Sequence, residues 1–584
     1  MNPSATLNYD ATALPKAPRW GVGLLIALVM WLIIKIPEWV APTTMFRFGA
    51  MVWGPMLGTA AMVIWWLGFS RVPWATRWWG LAAFVLGMLI AFGLGHPSMR
   101  PMGLLIFAMP INVTLMVIWV AFAARKSPLL MRAGLVLILL VAWSFFATLR
   151  MDGLTGSIEA AISWRWSPTA EDRYLASRAN RGGIPTTSLV PTILPAILAD
   201  GDWPGFRGAR RDGRLTGTSI RTDWGTHPPK QLWKHQIGPG WSSFCVVGDR
   251  VFTQEQRGEL EVVVCIDANS GAELWSHTDQ TRFNESMAGA GPRATPTFAD
   301  GKLYALGANG RLNCLEPSNG TVIWSRDIAA DTGASLPMWG FSSSPLVNGG
   351  MVTVITGAPG KAVIAYDALS GKQAWSSGDG WSYASPQLAR VGGIEQILFV
   401  SQTGLSGVNP TGGQTLWHHD FQLSGGANRA VQPTVIGDND LLLGAAFGTG
   451  TRRINVTREG SSWKNKGLWT SRNFNPYYND LVYHKGFCYG FDNSVFACLD
   501  AETGKSKWRA HGYGNGQVLL LVDQDLLLIL TEKGEVVLVD AKPDGHHEIG
   551  RFQAIEGKTW NHPVVAQGKL FVRNGEEVAG YEVK

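Results

Sequence analysis

The chain has 584 residues, a net charge of +6, 46% apolar residues and only 16% charged ones. That length exceeds one ordinary domain and is enough to bury a large core. Many of the basic residues flank apolar runs, and no basic stretch interleaved with aromatics occurs, so nothing calls for a nucleic-acid partner.

Residues 1–150 carry apolar runs at about 20–40, 48–70, 79–95, 103–124 and 133–149. Each is near the ~20 residues that cross a bilayer, and the last four hold no Asp, Glu, Lys or Arg across their cores. The pattern predicts a membrane domain of five transmembrane helices, the fourth interrupted at Pro110-Ile111-Asn112. A cleaved signal peptide is not expected, because a polar tail of 19 residues precedes the first run and no small-residue cleavage site follows it. Gly49, Gly54, Gly58, Gly80 and Gly87 are placed to let helices approach closely. Lys35 and Glu38 are the ionisable residues of the runs and sit near a run's end, which favours a structural anchor over an ion pathway.

Basic residues set the orientation. With the N-terminus in the cytoplasm, Lys16, Arg19, Arg71, Arg77, Arg125, Lys126 and Arg132 fall inside, against Lys35, Arg47, Arg100 and Arg150 outside. This predicts an inner (cytoplasmic) membrane protein whose residues beyond about 151 are periplasmic. Residues 151–200 form the connection. Ile158 to Ala179 reads as an interfacial amphipathic helix broken at Pro168, and Gly182 to Pro195 as a semi-extended linker rich in Gly and Pro. Residues 201–229 then lead into a repeat domain.

The repeat is plainest at Ala294 to Asp327, where three turns ending in Gly301, Gly310 and Gly320 separate four short β segments. Its last turn and strand recur as Ile266 to Trp275, Tyr366 to Trp375, Val408 to Trp417 and Leu499 to Trp508, with weaker copies ending at Trp469 and Phe552. A four-stranded unit of about 40–50 residues is the signature of a β-propeller blade. Seven repeats are complete. The chain after Phe552 supplies three more strands, and Lys230 to Gly238, with Trp233 at the motif position, supplies the fourth. Eight blades over residues 230–584, closed by both ends of the domain, is therefore the predicted fold, with seven as the alternative.

The cysteines, Cys245, Cys265, Cys314, Cys488 and Cys498, form no C-x-x-C motif, so no zinc knuckle or haem attachment is expected and no metal site is assigned. Cys488 and Cys498 flank one turn; a disulfide there and two buried thiols both remain open.

In a propeller the loops entering each innermost strand rim a central funnel. Arg293, Trp339, Tyr383, Asn428, Tyr478, Asn515 and His562 each precede the first strand of their own repeat and are predicted to face that funnel as ligand-binding candidates. Arg293 would offer a positive fork to an anion, Trp339 or Tyr478 would stack on a flat ligand, and His562 would exchange a proton near neutral pH. Aromatics at these positions also serve simply to fill a tapering axis. The repeated tryptophans from Trp275 to Trp508 belong between blades instead.

The D-A-x-T-G-K-x-x-W type motif, as in Asp500 to Trp508, resembles the pyrroloquinoline quinone (PQQ) repeat. That repeat is shared by eight-bladed quinoprotein dehydrogenases and by a non-enzymatic outer-membrane assembly lipoprotein of the same fold. The lead-in Asp202-Trp203-Pro204-Gly205-Phe206-Arg207-Gly208, followed by Arg211-Asp212-Gly213, resembles the opening of many PQQ-like propellers. The resemblance spans roughly residues 201–584 and speaks to fold more than to activity. The alcohol-oxidising members it points to cap PQQ with a disulfide of adjacent cysteines and hold Ca²⁺ with carboxylates. Here no Cys-Cys pair occurs, and Glu285, Asp379 and Asp480 form no recognisable set. The membrane-bound sugar-oxidising members share the five-span layout but are much longer. Two readings follow: a membrane-anchored propeller that binds an envelope protein or ligand, or a PQQ- and Ca²⁺-dependent dehydrogenase donating electrons to membrane quinone.

Overall fold

The computed structural model describes residues 18–40, 45–156, 159–180, 198–424 and 427–584. The polar tail and Lys16, and the linker expected over Gly182 to Pro195, lie outside them. The chain divides into two units, Met1–Gly153 with Ala160–Ser167, and Leu154–Glu159 with Pro168–Lys584.

In the first unit five helices are long and apolar enough to cross a membrane: Trp20–Val40, Phe46–Phe69, Trp74–Leu94, Leu104–Ala123 and Pro128–Ala147. Their outward faces are apolar, with Leu25, Leu57, Leu89 and Phe122 exposed. Small residues set the packing. A Cβ at Gly58 would lie 2.5 Å from Met30, and one at Gly87 would lie 2.5 Å from Trp143. At Gly54 and Gly80 it would come as near as 2.8 and 2.7 Å to Ile34 and Leu135, whereas at Gly49 it would meet nothing but Trp53 of its own helix. Pro110 does not break the fourth helix. A π turn, Leu104–Ala108, precedes it, and Pro110 stands in the first turn of Met109–Ala123, where its missing N–H is not needed.

Of the helix expected over Ile158 to Ala179 and broken at Pro168, only the part after the proline forms. Ala160–Trp164 is a strand paired with Leu149–Leu154, and a helix begins only at Ala170–Asn180. Ile162 and Trp164 suit extended backbone, and the residue before Pro168 disfavours helix. Thr169 then caps the helix: its Oγ1 accepts from the Asp172 N–H at 2.9 Å, and Asp172 accepts from the Thr169 N–H at 2.8 Å.

The second unit holds the eight four-stranded antiparallel blades of a propeller, in the strand order 245–279, 297–327, 346–377, 387–420, 434–471, 482–510, 517–553 and 564–582. The last of these completes itself with Lys230–Gln236, where Gly580 stands opposite Trp233. Burial lies between blades: Tyr304, Leu312 and Cys314 of one share a core with Val352, Ile364 and Tyr366 of the next. All five cysteines are buried free thiols, and the register sets Leu499 opposite Cys488 and Tyr489 opposite Cys498. The two sulfurs of that hairpin therefore point to opposite faces of the sheet, which precludes the disulfide.

The repeat motif is an interlock between neighbours. The indole N–H of Trp233 donates to Ala268 O at 3.0 Å, that of Trp275 to Pro317 O at 3.0 Å, and that of Trp324 to Ala368 O at 3.0 Å. Each of these carbonyls belongs to the turn of the following blade. The turn's glycine lies flat on the same indole: a Cβ at Gly271 would lie 2.6 Å from the Trp233 ring, and one at Gly371 would lie 2.7 Å from Trp324. Both glycines also need the left-handed backbone, with φ of +72° and +68°. The aspartate that opens the turn shapes it. Asp267 Oδ1 accepts from the Ser270 N–H and from its hydroxyl, both at 2.8 Å.

Residues 201–215 lace the inner strands together across one end of the ring. Trp203 exchanges hydrogen bonds with Val246, and Pro204 O accepts from Phe298 N at 2.8 Å. Arg207 donates to Leu481 O at 2.7 Å and to Gln432 at 3.4 Å, while Arg211 donates to Ser344 O at 2.9 Å and Pro345 O at 2.8 Å. Arg214–Leu215 then adds a parallel fifth strand to the blade at 517–553.

We expect Trp233→Ala to lower the unfolding free energy by about 3–5 kcal/mol, the range for deleting a large buried ring, read as a lower urea midpoint of the detergent-solubilised protein. Gly271→Ala should also destabilise, but less in the Trp233→Ala background than in the wild type, because the ring that its Cβ strikes is gone. Strict additivity of the two would refute the interlock at the closing blade.

Candidate functional site

The loops that enter the inner strands enclose a cavity of about 230 Å³. Of the residues expected to face the funnel, Arg293, Trp339, Tyr383, Asn428, Tyr478 and His562 line it. Asn515 does not line it. It is buried beside the cavity, where a Cβ on Gly156 would lie 2.2 Å from its Nδ2, and its backbone N–H donates to Glu532 at 3.1 Å.

Two groups of aromatic rings form the walls. Trp241, Trp560 and Tyr478 follow one another at centroid distances of 4.8 and 5.0 Å, and Trp339 meets Tyr383 at 5.0 Å. At the inner end Phe206 of the lead-in presents its edge to His562, 5.0 Å between centroids.

The charged groups are engaged by the protein itself. Arg293 donates to Trp339 O at 3.1 Å, to Gly289 O at 2.9 Å, to Gly291 O and to Glu285 at 3.3 Å, and its guanidinium stacks on Phe283. The free anion fork expected of it is therefore not formed. Burial pushes its guanidinium down to about 10, with Glu285 opposing the shift. Glu285 also accepts from the Met287 N–H at 2.7 Å and the Ala288 N–H at 2.6 Å. Asp379 lies elsewhere, accepting from the Gly360 N–H at 2.7 Å.

Asp480 is buried between Arg207 at 3.6 Å, the Gln432 N–H at 2.8 Å and His562 Nε2 at 3.4 Å. Burial would raise its carboxyl, but Arg207 and His562 hold it below the ordinary carboxylate range. Burial in turn lowers the His562 imidazole despite Asp480, so the ring is neutral at neutral pH rather than poised to titrate there.

Three further elements escaped sequence reasoning. Leu154, Thr155 and Gly156, which belong to the propeller's own unit, line the cavity mouth. The Leu154 N–H donates to Met287 O at 3.0 Å, and the Gly156 N–H donates to Glu532 at 2.6 Å. Glu532 also accepts from the Trp560 indole at 2.8 Å. Lys558 lies over the rings of Trp560 and Trp241, at 4.5 and 5.2 Å, and its ammonium donates to Leu154 O at 3.2 Å. Burial pushes this lysine down to about 8. Its one sequence signal was its place in the loop that carries Trp560 and His562.

As chemistry, the cavity is an aromatic slot with a neutral imidazole and with carboxylates held by internal donors. Among the described residues, no three His, Cys, Asp or Glu side chains converge as a metal would require.

A family model described as outer membrane protein assembly factor BamB, of the PQQ_2 type, matches residues 259–510. The chain is similar to quinohemoprotein alcohol dehydrogenase ADH-IIG of Pseudomonas putida, 30% identical over 171 residues, covering 27% of this chain and 22% of that protein. It is also similar to outer membrane protein assembly factor BamB of Burkholderia pseudomallei, 27% identical over 301 residues, covering 48% of this chain and 68% of that protein. The chain thus spans about a fifth of the first curated relative and two thirds of the second. The solved structure of the ADHIIG dehydrogenase from Pseudomonas putida HK5 superposes with a TM-score of 0.50 at 14% identity, covering 67% of this chain and 83% of that one, a likeness of fold. The eight four-stranded blades make the C-terminal domain a β-propeller, and residues 259–510 within it are similar to the PQQ_2 family.

Proposed function

We propose that this protein is a binding module: a propeller that offers its funnel rim to an envelope protein or ligand, carried on helices that anchor it in a membrane. The observation that carries this reading is the engagement of the described acids around the cavity. Glu285, Asp480 and Glu532 each accept from donors of the chain itself, and Arg293 spends its donors on Glu285 and three backbone carbonyls. PQQ carries three carboxylates and its Ca²⁺ needs several free oxygen ligands. The residues present do not fit that pair, and the cavity of about 230 Å³ falls below the roughly 300–1,000 Å³ of a typical ligand pocket. The rim also has apolar surface to offer a partner, with Met338 67% and Leu336 50% exposed.

The second reading, a quinoprotein dehydrogenase passing electrons to membrane quinone, is favoured by the similarity to a quinohemoprotein alcohol dehydrogenase. Incubating the purified chain with PQQ and Ca²⁺ separates the two. We expect no PQQ to be retained through gel filtration and no dye reduction with alcohols or sugars. Stoichiometric retention together with dye reduction would establish the dehydrogenase instead. For the binding module, a photo-crosslinker at Met338 should give a discrete adduct with one envelope protein, and the same group at Leu468 on an outer strand should not. Equal labelling from both positions would remove the rim from the proposal.

The distribution of basic residues around the apolar runs supports an N-terminus in the cytoplasm and a propeller in the periplasm. An alkaline phosphatase fusion after Gly182 should be active and one after Ala124 inactive. The opposite pattern would reverse the orientation.

A further inference from the structure

The lead-in motif does more than lace the ring. Ser344, Ser385 and Asp480 line the funnel just before three inner strands, and a few residues further along, within those strands, Leu346, Leu388 and Tyr483 line a second cavity of about 440 Å³. It therefore lies beyond the funnel, toward the other end of those strands. Its remaining wall is the lead-in itself.

That wall is strongly basic. Arg207, Arg210, Arg211 and Arg214 line the cavity together with Arg390 from the 387–420 blade, against a single lining carboxylate, Asp212. Asp212 is already shared, 3.5 Å from Arg210 Nε and accepting from the Arg214 N–H at 3.2 Å. Arg207 has Asp480 at 3.6 Å, but among the described residues Arg211, Arg214 and Arg390 form no ion pair. Arg207 and Arg211 are 3% and 5% exposed, and the Nε atoms of Arg207, Arg211 and Arg214 are buried without an acceptor. Buried guanidinium groups in this state are costly unless an anion meets them. Burial, reinforced by Arg207, pushes Arg211 down to about 9, as expected for a cation short of counter-charge. Arg207 and Arg211 also hold left-handed backbone, with φ of +59° and +55°, which places both side chains from one short loop. The opposite wall is apolar, built from Leu346, Leu388, Pro433 and Val435.

We propose that this cavity is a binding site for a small organic anion. A phosphate or carboxylate group is held by the guanidinium groups of Arg210, Arg214 and Arg390, with buried Arg211, whose terminal nitrogens are taken by Ser344 O and Pro345 O, adding positive charge behind them, and the apolar body of the ligand lies against Leu346, Leu388 and Val435. Guanidinium forks match both head groups, and the two walls together select an anion with a hydrophobic part over a bare ion.

Isothermal titration of the full chain in neutral detergent at low salt tests this with four probes. Phenyl phosphate or benzoate should bind saturably at one site per chain, the stronger of the two naming the head group. Inorganic phosphate should bind at least about tenfold more weakly, and benzyl alcohol not at all. Arg214→Ala and Arg390→Ala should each weaken the better probe about tenfold or more, the scale of a lost charge-assisted hydrogen bond. Arg390→Lys should lose less than Arg390→Ala, and raised salt should weaken binding throughout. Arg390 is exposed, so its variants keep the fold even if those of Arg214 do not. The proposal is overturned if neither organic anion binds saturably, if both alanine variants bind like the wild type, or if bare phosphate matches the better probe.

Discussion

The indole that lies on its neighbour's turn glycine is the contact on which the propeller depends. A four-stranded blade cannot bury both of its faces alone; it needs the next blade, and the next blade must arrive at one height and one angle. Trp233, Trp275 and Trp324 fix both with one hydrogen bond and one flat contact each. The motif that repeats in the sequence is thus a pair of complementary parts: an aspartate-shaped turn that receives an indole from behind, and a tryptophan that enters the turn ahead. Where the turn loses its pattern the bond changes partner. Trp417 donates instead to Gln396 of its own blade at 2.7 Å, because the blade that follows, with its ten-residue strands Gly450–Glu459 and Ser462–Ser471, has no such turn to offer.

What could be read from the sequence followed from periodic demands. Bilayer length and blade spacing leave regular marks, so the five apolar helices, the eight blades and the contribution of Trp233 to the last blade are all legible in the sequence. The convergence of Arg293, Trp339, Tyr383, Asn428, Tyr478 and His562 on one cavity follows from the same equivalence of repeat positions. What each of them does there was not visible, because it depends on non-repeating neighbours. Arg293 is taken up by carbonyls of its own loop and by Glu285, and His562 is set by Asp480 and Phe206. The strand at Ala160–Trp164 was read as helix because a short amphipathic stretch fits either period when its pairing partner is unknown. Nothing periodic announced Leu154–Gly156 at the mouth, nor the lysine over Trp560.

The two cavities along the inner strands carry different chemistry. At the rim, aromatic rings and internally satisfied carboxylates make a surface suited to packing. In the second cavity, guanidinium groups outnumber carboxylates and face an apolar wall. The inner strands hold these two environments apart by the length of a few residues, with Phe206 and Arg207, adjacent in sequence, lining one cavity each.

The lead-in that laces the base of the ring bears on how the domain comes apart. A stack of repeats that touch only their neighbours can fray one unit at a time. Here one segment of about fifteen residues is hydrogen-bonded to inner strands or their turns in all eight blades, from Val246 and Phe298 through Pro345, Gln387, Gln432, Leu481 and Leu520 to Gln567. It precedes every blade in synthesis, meets Val246 and Phe298 in the first two, and finds its last partner, Gln567, only when the eighth has formed. Removing any one blade strips hydrogen-bond partners from a shared thread, so its loss is felt across the ring. The hub thereby converts a sum of local stabilities into a single cooperative transition, and a newly made chain gains its full resistance to unfolding only at the moment of closure.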